Sequence, residues 1–184
     1  MVPAQYKVLY SPADIAREVK RMGQEISTWC AKVWEESHTD VIAIPVLRGG
    51  VFLLTDLVRE IDRSVEIVPA RTWAYEVGQN AVERSEVTVD LGGVPAQGRH
   101  VLLVDDICDS GKTLKTLSAA LIKMGALEVK SAVLIRRKIE HEIVVPDYVA
   151  FNYTGPEWFV GYGMEDAERW RNLPSVCIIR QGDK

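Results

Sequence analysis

Four apolar residues, Val101 to Val104, run directly into Asp105 and Asp106, and the chain then reads Asp109-Ser110-Gly111-Lys112-Thr113. Few folds accommodate that order. A short apolar run bounded by charge reads as a buried strand, and a strand apolar on both faces belongs to a parallel sheet covered by helices. In open sheets of that kind, ligands bind beyond the carboxyl ends of the strands, which is where both aspartates fall.

The surrounding chain alternates to match. Ser11 and Pro12 open a helix, one as cap and the other in the first turn. Ile15, Val19, Met22 and Ile26 recur at helical spacing, predicting an amphipathic helix over about 12–35. Residues 41–46 (VIAIPV) predict a buried strand with Pro45 at its end. LRGG then turns into a helix over 51–61, and 65–70 predicts another strand. Polar residues 71–84 read as a long loop, 86–91 as a half-exposed strand, and 101–104 as the strongest strand. A helix over about 111–124, ended by Gly125, leads to a strand over 130–135. From about 141 the chain reads as a flap with strand-like runs and one short helix near 166–171. This order predicts the α/β class, with a Rossmann-like parallel sheet flanked by helices, a core over about 12–138 and a small hood made by 141–184 with the N-terminal segment.

At 184 residues the chain suits a single domain, and its net charge of -4 carries no long run of one sign. A broad nucleic-acid-binding face, which needs clustered Lys and Arg, is therefore not expected. Residues 1–14 lack a signal-peptide pattern and no apolar stretch is long enough to span a bilayer. Cys30, Cys108 and Cys177 make neither a disulfide framework nor a zinc pattern, so a reduced, cytoplasmic setting is expected.

Residues 109–113 enter the helix at 111. The N–H groups and dipole of a helix N-terminus favour a phosphate, and glycine lets backbone approach the anion closely. Ser110 and Thr113 add hydroxyl donors. Carboxylates suited to ribose hydroxyls and a divalent ion thus stand a few residues from a phosphate cradle, and a sugar phosphate needs both. A Walker A loop would require glycine where Asp106 stands. A receiver domain would place its acidic pair near the N-terminus. The plain alternative is a solvated strand-to-helix turn.

VLLVDDICDSGKTL resembles the phosphoribosyl pyrophosphate (PRPP) motif of type I phosphoribosyltransferases. The stretches IAIPVLRGGVFLLTDLVREI, PDYVAF, FVGYG and RNLP are similar to the hypoxanthine-guanine branch of that family. The resemblance implies the type I phosphoribosyltransferase fold and a purine-salvage transfer from PRPP to N9 of a 6-oxopurine, hypoxanthine or guanine and possibly xanthine, with pyrophosphate released and Mg²⁺ as cofactor. It implies that Leu47, Arg48, Gly49 and Gly50 bind pyrophosphate, with a cis peptide between Leu47 and Arg48, and that Arg171 reaches the same group. Asp105 and Asp106 would face the ribose and the metal, with Glu165 near the metal and the base edge. Asp109 would act on the purine as catalytic base or acid, and Ser110, Gly111, Lys112 and Thr113 would cradle the 5′-phosphate. Ile107 would lie by the purine, Trp158 would stack on it, and the Phe159 backbone would read its edge.

The chain departs from the family at Arg48, where Lys or another residue is usual, at Glu165, where Asp is usual, and more widely in two further places. Arg137 stands where a lysine donates to purine O6, with Lys138 next to it, and a planar fork differs from a point donor. RTWAYEVGQN occupies the lid position, with Tyr75 the expected closing residue and Trp73 the alternative. His38, His100 and His141 lack ligand spacing; Cys108, Trp29, Trp34 and Trp170 read as packing residues. A phosphoribosyltransferase for another base and a non-catalytic nucleotide-sensing regulator remain open as alternatives. The family's usual assembly is a homodimer or homotetramer.

Overall fold

The computed structural model describes residues 2–69, 71–74, 87–140 and 142–179, with backbone alone for 71–74 and 87–90. The chain runs β1 (Tyr6–Tyr10), α1 (Pro12–Ser37), β2 (Val41–Pro45), α2 (Gly50–Leu57), a 3-10 turn (Val58–Glu60), β3 (Val65–Ile67), β4 (Arg71–Ala74) and β5 (Val87–Asp90). It continues through β6 (His100–Cys108), α3 (Lys112–Lys123), β7 (Glu128–Arg137), β8 (Tyr148–Tyr153), β9 (Phe159–Val160) and β10 (Val176–Ile179).

Ser11 starts α1 with a capping box: its hydroxyl accepts from the Asp14 N–H at 3.2 Å, and its own N–H donates to the Asp14 carboxylate at 3.1 Å. Such a cap stabilises a helix by about 1 kcal/mol. Ile15, Val19, Met22 and Ile26 are all buried, together with Trp29, Cys30 and Val33. They form the stripe that α1 lays against the sheet.

Five strands make the central sheet in the order β3-β2-β6-β7-β8, every pair parallel. Every residue of β2 is buried, as expected of a strand covered on both faces. One face packs against α1, α2 and hood residues including Phe159, Tyr162 and Val176. The other packs against α3 through Leu114, Leu117 and Leu121, and against Leu91, Val94 and Ala96. From β2 the chain moves outward through α2 to β3, then returns to place β6 on the other side of β2. The strand order reverses there, so the carboxyl ends of β2 and β6 open a crevice. Residues 46–49 and the acidic pair border it. A separate antiparallel sheet, β1-β10-β9, builds the hood and joins the two ends of the described chain. Among the described residues, no helix is long and apolar enough to cross a membrane.

Several expectations need correction. The polar loop expected over 71–84 begins as a strand, because β4 pairs antiparallel with β5 from Arg71↔Asp90 to Ala74↔Val87. β6 does not stop at Val104. Pairing to β7 carries it to Cys108, so the acidic pair is held within a hydrogen-bonded ladder. β8 extends the central sheet, pairing parallel with β7 from Ala132↔Tyr148 to Arg137↔Tyr153, so the chain beyond 141 first adds a core strand and only then enters the hood. No helix forms at 166–171. Ala167, Glu168 and Trp170 take left-handed φ values of 48°, 62° and 68°, and Asp166 pairs with Arg169 across a tight turn. Partners outside the turn override its local helix propensity. Tyr6 OH donates to Asp166 at 2.7 Å and Arg48 pairs with Glu168, drawing successive residues in different directions.

Candidate active site

The acidic pair sits deep in the crevice. Asp105 is buried, and its carboxylate accepts the Asp106 N–H at 2.9 Å. Burial pushes the Asp105 carboxyl well above the usual carboxylate range, and the charge of Asp106 adds to the shift. Burial raises Asp106 as well, against the opposing pull of a hydrogen bond with the Asp105 side chain, of backbone donors and of the Arg171 guanidinium. Two adjacent oxygen-donor groups whose charges lack full compensation suit a hard divalent cation. Among the described residues, however, no cluster of three or more His, Cys, Asp or Glu groups is gathered to hold a metal. Glu165 has other partners: it accepts the Glu168 N–H at 2.5 Å and lies 3.6 Å from Arg171.

The loop after β2 lies against this pair without side chains between. A Cβ at Gly49 would fall 1.8 Å from the Asp106 carboxylate, and one at Gly50 would fall 2.3 Å from the Val104 carbonyl. The peptide bond between Leu47 and Arg48 is cis, as expected there. The hood closes on the same loop. Gly163, at φ +101°, approaches so closely that its Cβ would lie 2.4 Å from the Gly49 carbonyl. Arg171 donates to the Gly163 carbonyl at 2.6 Å, and Arg48 meets Glu168 at 2.8 Å.

The phosphate turn is the second part. Gly111 is the N-cap of α3 at φ 81°, where a side chain would be strained, and it supplies no side-chain cap, while the Ser110 hydroxyl accepts the Lys112 N–H at 3.4 Å. The first-turn N–H groups of a helix make a site suited to an anion. Ser110 is half-buried beside the turn, Thr113 is half-buried in its first helical turn, and Lys112 is exposed.

The third part surrounds Asp109, which is mostly exposed. Arg137, the last residue of β7, donates through Nε to Asp109 at 2.7 Å. Its other nitrogens donate to the Gly155 carbonyl and, at 3.0 Å, to the Glu157 carbonyl. Its guanidinium lies 4.7 Å from the centre of the Phe159 ring. Lys138 is exposed and its backbone N–H donates to the Tyr153 carbonyl at 2.7 Å. Ile107 is half-buried and packs on the core beneath. Trp158 is 54% exposed, and its indole N–H donates to the Glu165 carbonyl at 2.7 Å, which fixes the ring's direction while leaving it open. Phe159 is buried in the hood sheet opposite Ile178.

The expected site residues therefore gather in three adjoining groups, at the ends of β2 and β6, at the start of α3, and beneath the hood. Tyr75 and His141 lie outside the described residues, and Trp73 is described by backbone alone, within β4. Gly163, Gly155 and Glu157 escaped the sequence reasoning. Gly163 lay within the FVGYG stretch, where a left-handed glycine was a usable signal; the two carbonyls carried none. Cys108 is buried with its thiol pushed up to about 11 by burial, in keeping with packing.

Comparison with known proteins places this geometry. The phosphoribosyl transferase domain model matches residues 16–167, and the chain belongs to that family. Among its curated relatives, a hypoxanthine-guanine phosphoribosyltransferase of Streptococcus pyogenes is 31% identical over 176 residues, covering 95% of this chain and 93% of the relative. One from Aquifex aeolicus is 32% identical over 177 residues, covering 94% of each. The structure of a Bacillus anthracis hypoxanthine-guanine phosphoribosyltransferase aligns with a TM-score of 0.78 at 27% identity, covering 94% of this chain and 97% of that one. Within the family, this chain groups with the hypoxanthine-guanine phosphoribosyltransferases.

Proposed function

We propose that the chain transfers the 5-phosphoribosyl group of PRPP to N9 of hypoxanthine or guanine, giving IMP or GMP and pyrophosphate, as its relatives' names imply. The observation that carries this reading is the Asp106 carboxylate set against Gly49 in the crevice, with the Arg171 charge beside it. Sugar-hydroxyl acceptors and a backbone anion loop thus share one wall.

In this reading the N-terminus of α3, with Ser110 and Thr113, holds the 5′-phosphate. Asp105 and Asp106 accept from the ribose hydroxyls. Leu47, Arg48, Gly49 and Arg171 receive pyrophosphate. Trp158 stacks on the base, the Phe159 backbone reads its edge, and Ile107 lines the near side. Arg137 or Lys138 meets O6. Breaking the bond between C1′ and pyrophosphate builds positive character on the sugar and negative charge on the leaving group, so cationic and N–H groups fixed around the leaving oxygens lower the barrier. Asp109 takes the proton from the purine ring nitrogen as the new bond forms. Holding sugar and base in line contributes much of the remaining acceleration.

The family is consistent with a divalent metal, and Mg²⁺ is the proposed ion, held by Asp105 and Asp106 and supplying charge stabilisation to pyrophosphate. The proposed setting is cytoplasmic and the proposed assembly a homodimer or homotetramer. The three cysteines are free and buried, which supports a reducing compartment.

Incubation with PRPP and Mg²⁺ and, separately, hypoxanthine, guanine, xanthine, adenine or uracil, with pyrophosphate release followed, tests the reading. Turnover confined to 6-oxopurines is the expected result. Absence of turnover with every base overturns it.

A further inference from the structure

Beside Arg137, the preceding residue has a different setting. Successive strand residues face opposite sides of a sheet. While Arg137 turns to the hood, Arg136 pairs in register with Cys108, next to the phosphate turn. Its Nε and Nη2 donate to the two Glu142 carboxylate oxygens, each at 2.5 Å. Both side chains are largely shielded, at 20% and 12% exposure. The Arg136 guanidinium holds the Glu142 carboxyl below its ordinary range.

Glu142 begins a stretch without regular secondary structure that lies on the phosphate turn. The Ile143 N–H donates to the Ser110 carbonyl at 2.8 Å. The Val144 carbonyl lies 3.9 Å from Cys108 Sγ, and a Cβ at Gly111 would fall 2.9 Å from Val144 atoms. Little apolar burial anchors this stretch, because Ile143 and Val145 are exposed. The bidentate ion pair ties its start to β7, while Asp147 ties its far end by accepting from the Ser131 N–H at 2.8 Å, and bidentate pairs fix geometry as well as distance.

We infer that Arg136 and Glu142 are positioning residues for the 5′-phosphate subsite: their ion pair presses 142–144 onto Ser110 and Gly111 and sets the shape of the cradle. The inference rests on the proposed phosphoribosyl transfer. Neither side chain touches substrate. Two consecutive arginines thereby support two subsites from opposite faces of β7, Arg136 the phosphate and Arg137 the base.

The test uses Arg136→Met, Glu142→Gln and the exchanged pair Arg136→Glu with Glu142→Arg. Each single change is expected to raise KM for PRPP and weaken IMP binding by about tenfold, the scale set by displaced binding groups. KM for hypoxanthine and the Kd of free pyrophosphate should move less than about twofold, because those ligands meet the hood and residues 47–49. The exchanged pair should recover most of the IMP affinity. IMP binding at the original strength in either single variant overturns the inference, as does equal weakening of IMP and pyrophosphate, which marks general loosening. Should Arg136→Met not fold, the near-isosteric Glu142→Gln decides alone. Failure of the unaltered protein to bind IMP or consume PRPP instead sinks the underlying transfer reading, and is seen before any variant is compared.

Discussion

Arg137 donates through Nε to the Asp109 carboxylate at 2.7 Å while its other nitrogens hold the Gly155 and Glu157 carbonyls. One guanidinium thus ties the proposed catalytic acid–base group to the chain leading into Trp158. A lysine has a single donor nitrogen and no planar face for Phe159. Arg137→Lys is therefore expected to lower kcat/KM for the base by about 10-fold to 100-fold. Steady-state kinetics with varied hypoxanthine checks this, and an unchanged kcat/KM removes Arg137 from base positioning.

Asp109 is assigned to chemistry rather than donor binding. Asp109→Asn keeps the shape, and an amide oxygen can still accept from Arg137. Its turnover should drop by about 10² to 10⁴, the usual contribution of general acid–base catalysis. KM for PRPP should change little. Single-turnover measurement separates the two, and equal losses in both place Asp109 in the binding site only.

Asp105 supports a stability prediction with a definite sign. Its carboxyl is raised by burial and by Asp106. A group raised in the fold contributes stability that is present below its unfolded value and lost as pH rises through the folded one. Ionising this buried carboxyl therefore works against the fold. Asp105→Asn should raise Tm by a few degrees, on the order expected for about 1 kcal/mol in a chain this size, while abolishing turnover. It should also reduce any stabilisation that Mg²⁺ gives, and calorimetry with and without Mg²⁺ checks both effects.

Glu142 behaves in the opposite way. Arg136 holds its carboxyl below the ordinary value of 4.5. That contribution is present above the unfolded value and lost as pH falls through the folded one. Glu142→Gln should lower stability at pH 7 and make little difference well below pH 4.5. Denaturant titrations across that range check it; an equal loss at every pH counts against the ion pair as the cause.

Gly163→Ala should cost about 2 kcal/mol or more, because it strains a left-handed backbone and forces a Cβ into the Gly49 carbonyl. Pyrophosphate affinity should fall with stability. Urea unfolding and pyrophosphate titration of the same variant give both numbers, and retained affinity separates the hood from the anion loop.

Much of the fold was legible because its signals are local and periodic. The α1 stripe from Ile15 to Ile26, the apolar run of β2 and the Gly125 stop each express a spacing that one element imposes. The acidic pair and the Gly111 turn were legible because their side-chain chemistry is unusual directly after a buried strand. Residues 166–171 misled because a helix-forming composition was overruled by Tyr6 and Arg48, which lie more than a hundred positions away in sequence. The extension of β6 through Asp105 and Asp106 was hidden for a related reason. Charged residues do not announce a strand, yet β7 supplies the pairing that keeps them in one. The partners of Arg137 were unreadable, since backbone carbonyls leave no mark in the sequence.

The contact of Gly163 with the Gly49 backbone, and of Gly50 with the Val104 carbonyl, leaves no side chain between the hood, the turn after β2 and β6. Shape passes through this joint as backbone against backbone, with no side chain on the glycines to absorb a mismatch. A hood transplanted from a relative to alter base choice would therefore have to bring its own version of residues 47–49. For an engineer, the two segments make up a single interchangeable part, although more than a hundred residues of sequence separate them.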